Sequence, residues 1–142
     1  MYQAIAFISL LVVVTVFIHY EFLRRLGQLL THFGPHYHRS RILLAVLGAL
    51  VAHAVEVWVF AGGYYLMHHG ERWGQLIGNF SGSLLDCVYF SFTVFSTVGF
   101  GDVEPFGALR FLAGIEALTG LILITWSASF LFIEMQRHWP QR

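Results

Sequence analysis

Three apolar blocks decide most of what this chain can become. Residues 4–18 carry no charge and only Ser9 and Thr15 as polar breaks, residues 42–67 are interrupted by His53 and Glu56, and residues 106–133 hold Arg110 near the start and Glu116 within. A helix rises 1.5 Å per residue, so the second block is about 39 Å long and crosses a bilayer with tilt, while the first is just long enough to cross. A composition of 57% hydrophobic and 11% charged residues lies far from that of a soluble globule. The expected surroundings are membrane lipids, with no nucleic-acid partner. The first block reads as a retained span and not as a cleaved signal: residues 1–3 carry no basic side chain, and Glu21, Arg24 and Arg25 follow where small residues would mark cleavage.

The chain has no lysine, and its arginines are unevenly placed: Arg24, Arg25, Arg39 and Arg41 lie between the first two blocks, Arg137 and Arg142 in the tail. Basic residues favour the cytoplasmic side, so three spans give an expected N-terminus outside and C-terminus cytoplasmic in a multi-pass cell-membrane protein. Cys87, the single cysteine, has no internal disulfide partner and reads as a small buried side chain.

Between the second and third blocks lies a shorter apolar stretch, residues 84–95, preceded by Ser83 and followed by the glycine-rich run 97–102. It is too short to cross and reads as a re-entrant helix. Backbone inside a membrane must be hydrogen-bonded, so a non-helical run is tolerated there only when protein buries it or when its carbonyls face ions and water. Stacked rings of carbonyls from several subunits replace the water around a desolvated cation without adding negative side chains. Successive carbonyls point the same way only if alternate residues leave the usual backbone regions, which Gly99 and Gly101 do at little steric cost. The Thr97 hydroxyl is available as an innermost ring.

Ser96–Thr97–Val98–Gly99–Phe100–Gly101–Asp102 resembles the signature filter of the tetrameric potassium channels. The likeness covers roughly residues 42–137, in the order of the bacterial two-helix pore domains, with residues 1–20 as an additional N-terminal span. It implies an N-terminal region 1–40 and a pore domain 41–142, divided into outer helix 41–67, pore helix 84–96, filter 97–102 and inner helix 106–134. It further implies potassium ions bound at Thr97, Val98, Gly99, Phe100 and Gly101. Val88, Tyr89 and Phe90 would brace the filter, with the Tyr89 hydroxyl a partner for Asp102. Phe100 stands where the commonest filter has tyrosine, so a ring hydroxyl is missing there. Thr93 falls where some relatives carry a glutamate, removing one way of holding Asp102. Gly120 lies where the family has a hinge glycine, although close helix packing explains a membrane glycine equally well. Leu121, Ile124 and Ala128 would face a central cavity and Phe132 its inner mouth. The negative ends of four pore helices would favour a cation in that cavity.

No helix carries arginine at every third position, so no voltage sensor is expected. Nine residues follow Ile133, so no cytoplasmic ligand-binding domain is expected within this stretch; such a domain would sit on a separate regulatory subunit or in sequence beyond it. Ionisable residues within spans are costly and point to function, and here they are His53, Glu56 and Glu116. Counted from the outer ends of their blocks, Glu56 and Glu116 lie at similar depths of roughly 15 Å, and His53 and Glu56 share a helix face. Two readings stand for this trio: a proton or divalent-metal sensor, or a hydrogen-bonded cluster that fixes helix register. His32, His36 and His38 read as a metal- or lipid-binding loop or as solvated surface, and His68 and His69 as exposed residues.

The expected fold class is thus an all-α membrane protein with three transmembrane helices, a re-entrant pore helix and a filter loop per subunit, assembled as a homotetramer. The expected function is passive potassium conduction, without catalysis. A weakly selective monovalent cation channel is the nearer alternative. Alternatives of another class are a non-conducting subunit or a haem- or metal-binding membrane protein; for haem, His53 and His19 are expected to pair poorly, His19 lying near the cytoplasmic end of its span.

Overall fold

The computed structural model describes residues 2–32, 38–70 and 72–138. His36 and Arg142 lie outside the described residues, as does the side chain of His38. Along the chain run α1 (Tyr2–Thr31), α2 (His38–His69), β1 (Leu76–Gly78), α3 (Leu84–Phe95), β2 (Val103–Pro105) and α4 (Leu109–His138). Helices α1, α2 and α4 are each long and apolar enough to cross a membrane, whereas α3 is a short apolar helix. The all-α membrane architecture expected from the apolar blocks is the one found, with one small addition. Strands β1 and β2 pair antiparallel, Leu76 opposite Pro105, Ile77 opposite Glu104 and Gly78 opposite Val103.

The helix ends differ from the sequence reading for identifiable reasons. Helix α1 runs on past Ile18 to Thr31, because a buried stripe of Ala4, Ile8, Thr15, His19, Leu23, Leu26 and Leu30 continues through the polar residues that end the apolar block. Helix α4 begins at Leu109 and not at 106, since the preceding backbone is already engaged: Phe106 N–H donates to Gln75 O at 2.8 Å and Ala108 N–H to Trp73 O at 2.6 Å. Helix α3 ends at Phe95, with Ser96 as its C-cap.

Lipid tails are as apolar as leucine, so helices in a bilayer associate through van der Waals fit and interhelical hydrogen bonds. The main core joins α2 (Val57, Phe60, Tyr64, Met67), α3 (Cys87, Val88, Phe90, Phe95) and α4 (Leu109, Leu112, Leu123), with Leu76 and Val103 of the strands. A second cluster, Leu23, Leu26, Leu30 and Ala45, seals α1 to α2. The short helix is therefore held on a wall of two long helices, and the segment after it is left at the surface of the single chain.

Candidate functional site

Helix α3 is fixed at both ends by its own sequence. Ser83 caps the start by accepting the Asp86 N–H at 3.1 Å, and the Asp86 carboxylate accepts the Ser81 N–H at 2.7 Å and hydroxyl at 2.5 Å. These bonds, the Ser81 hydroxyl first, hold the Asp86 carboxyl below its ordinary range. At the other end the Ser96 N–H returns to Phe92 O at 3.1 Å and its hydroxyl to the same oxygen at 2.6 Å.

From there the backbone takes a left-handed conformation at every second residue: φ is 60° at Thr97, 53° at Gly99 and 78° at Gly101. A Cβ built on Gly99 or Gly101 meets nothing within 4 Å, so dihedral demand and not crowding calls for glycine there. Thr97 has the same conformation with a branched side chain, a local cost on the order of 1–3 kcal/mol. Two hydrogen bonds back to α3 hold the run, Thr97 N–H to Val94 O at 2.9 Å and Gly99 N–H to Thr93 O at 3.0 Å. Val98 and Phe100 are 57% and 69% exposed in the single chain.

Asp102 closes the run and is gripped twice. The Tyr89 hydroxyl donates to its Oδ2 at 2.9 Å, and Asn79 N–H donates to its carbonyl at 2.8 Å. Gly78 passes so close that a Cβ there would collide with the Asp102 carbonyl. The Tyr89 and Phe100 rings stack with centroids 6.5 Å apart, Phe90 packs edge-on against Tyr64 at 4.9 Å, and the Thr93 hydroxyl bonds Phe90 O at 2.8 Å within its own helix.

The expected trio of His53, Glu56 and Glu116 does not assemble. Glu116, fully buried, is engaged higher in the bundle: Tyr64 donates to its Oε2, and the Ser91 hydroxyl lies 2.5 Å from its Oε1 and 3.0 Å from Val57 O. With one proton, Ser91 serves one of these acceptors at a time. The third member beside His53 and Glu56 is His19. Its Nδ1 lies 2.7 Å from Glu56 Oε1, and His53 Nδ1 lies 2.8 Å from Glu56 Oε2. The two imidazoles stack at 5.4 Å. The expectation that His19 sits at the end of a span, out of reach of His53, is corrected by the length of α1, which puts His19 in mid-helix. His68, expected to be exposed, is also placed differently: it accepts the Leu76 N–H at 3.1 Å and packs edge-on to Phe80 at 4.9 Å.

On α4, Leu121, Ile124, Ala128 and Phe132 are exposed in the single chain. Gly120 is buried against the end of α3, where a Cβ would run into the Phe95 carbonyl. Glycine there permits close approach of α4 to the short helix. Sequence reasoning missed His19, Tyr64 and Ser91; the stripe of α1 at helical spacing was the available signal for the first.

Three long apolar helices, with a short helix and an exposed, alternately left-handed run inserted between the second and third, define a multi-pass membrane protein. A family model described as ion channel matches residues 52–137, more than half of the chain and all of α3, the following run and most of α4. The chain belongs to the ion channel family. Comparisons with curated proteins and with solved structures return no match.

Proposed function

We propose that four copies of this chain form a potassium-selective channel, with the backbone of residues 97–101 as its filter and potassium ions as its cargo. The observation that carries the reading is the alternation of left-handed backbone at Thr97, Gly99 and Gly101 directly after a capped short helix. That alternation is what carbonyls need in order to face one way along a strand. One chain offers one oxygen per level, so a closed ring of copies completes the shell that replaces the ion's water. The exposed Val98 and Phe100, and the exposed α4 face of Leu121, Ile124, Ala128 and Phe132, are surfaces that such a ring would cover or turn to a central cavity. In this reading residues 41–142 form the pore domain, α1 packs on its rim, the N-terminus is outside and the C-terminus cytoplasmic.

Conduction is passive. Ions pass in single file and move one another onward by repulsion, and the carboxyl end of α3, aimed at the axis, favours a cation below the filter. Phe100, whose ring stacks on Tyr89 without contributing a hydroxyl, favours weaker cation discrimination as a second reading. Flux from proteoliposomes tests both: potassium flux blocked by barium with sodium excluded supports the first, and a reversal potential insensitive to exchange of potassium for sodium supports the second. Absence of any cation flux from a tetrameric preparation would overturn both.

A further inference from the structure

We infer that His19, His53 and Glu56 form a binding site for one divalent transition-metal ion of the zinc class, set within the helix packing between α1 and α2. Among the described residues these side chains form a group whose ligand atoms all lie within 4.8 Å of one another. A tetrahedral zinc with bonds of about 2.0–2.2 Å holds its ligands about 3.4 Å apart, so small side-chain rotations close the set. Two imidazoles and one carboxylate are the donor set of an open zinc site, with the fourth position left for water.

Burial and an unpaired atom separate this cluster from a device that merely fixes helix register. His19 and Glu56 are fully buried, and the His53 side chain is 17% exposed. The Glu56 oxygens are each engaged by one imidazole, yet the other ring nitrogen of His19, Nε2, is buried with no hydrogen-bond partner among the described residues. One helical turn earlier on the same face, the buried Thr15 hydroxyl also lacks one. A buried polar atom without a partner is unfavourable, and water carried in with an ion is a partner the protein does not supply. A register clamp needs only the His19–Glu56 contact between the two helices; His53, on the same helix as Glu56, adds nothing to register and supplies a third donor.

The position gives occupancy a consequence. The His53 ring lies 5.7 Å from Phe95 at the end of α3, and the His19 ring 5.2 Å from Trp126 of α4. An ion here joins α1 to α2, through imidazoles that lie against Phe95 of α3 and Trp126 of α4. His53 and Glu56 fall within the family match and His19 outside it, so a helix that lies wholly outside the match completes the site. The inference does not rest on potassium selectivity.

The test uses the full chain, purified in detergent, stripped with a chelator and titrated with cobalt(II) alone. The expected result is one cobalt per chain with the visible absorption of a tetrahedral complex, displaced by zinc. His19→Asn should weaken binding at least about 10-fold and abolish the tetrahedral spectrum while the oligomer elutes unchanged. His53→Asn, at the less buried position, should do the same and serves if the first variant does not fold. Absence of a stoichiometric tetrahedral spectrum in the unaltered chain, or its persistence in a folded variant, overturns the site.

Discussion

Asp102 shows how much of the candidate filter depends on single atoms. Its carboxylate and its carbonyl are held by different segments, Tyr89 of α3 and Asn79 after β1, so the end of the run is pinned across the chain and not merely tethered along it. The glycines before it are fixed by dihedral angle alone. Alanine at Gly99 meets no atom of its own chain, yet at φ 53° it bears the left-handed penalty of about 1–2 kcal/mol. If residues 97–101 form the proposed filter, Gly99→Ala should leave the oligomer intact and reduce a preference for potassium over sodium, read as a shift of reversal potential in mixed salts. The motif was legible in the sequence because glycine is the residue that backbone geometry selects. His19 was not: a lone histidine just past an apolar block reads as the end of a span until the stripe through Leu23, Leu26 and Leu30 shows the helix continuing.

Among the elements, α3 is the one whose placement matters most, and its contacts make separate predictions. Gly120 of α4 abuts the Phe95 carbonyl, so Gly120→Ala should overpack that crossing and lower stability by about 1–3 kcal/mol, seen as a reduced thermal midpoint of the purified protein. A hinge role would instead leave the midpoint unchanged and alter open probability. At the other end, the Asp86 carboxyl is lowered from 3.8 by the Ser81 and Ser83 bonds. A carboxylate lowered in the folded state stabilises above its unfolded value, and that contribution is lost as pH falls through the folded value. Acidification through and below the ordinary carboxylate range should lower the thermal midpoint, and Asp86→Asn should flatten that dependence. The long helices were legible as apolar blocks because a bilayer demands them. The strands were not, since three residues each are too few to show alternation, and their pairing depends on backbone groups of Gln75 and Phe106 that side-chain pattern does not report.

At the scale of the molecule, polar contacts tie together what apolar packing alone would leave free to slide. Glu116 joins α4 to α2 and α3 through Tyr64 and Ser91, and Glu56 joins α2 to α1 through His19. Neither link could be read from depth along a span, because matching heights of two carboxylates say nothing of which helix face each occupies; the structure sends Glu116 to the short helix and Glu56 to α1. A fragment begun at residue 38 keeps His53 but removes the His19 imidazole from the fully buried Glu56 carboxyl, a loss of about 1–3 kcal/mol for a buried polar group left without that partner. Such a fragment should express and assemble poorly, and Glu56→Leu within it should restore the yield of assembled protein in size-exclusion chromatography. The leading helix is thus no detachable accessory: whoever wishes to study a stripped-down pore must first neutralise the acid that this helix was shielding.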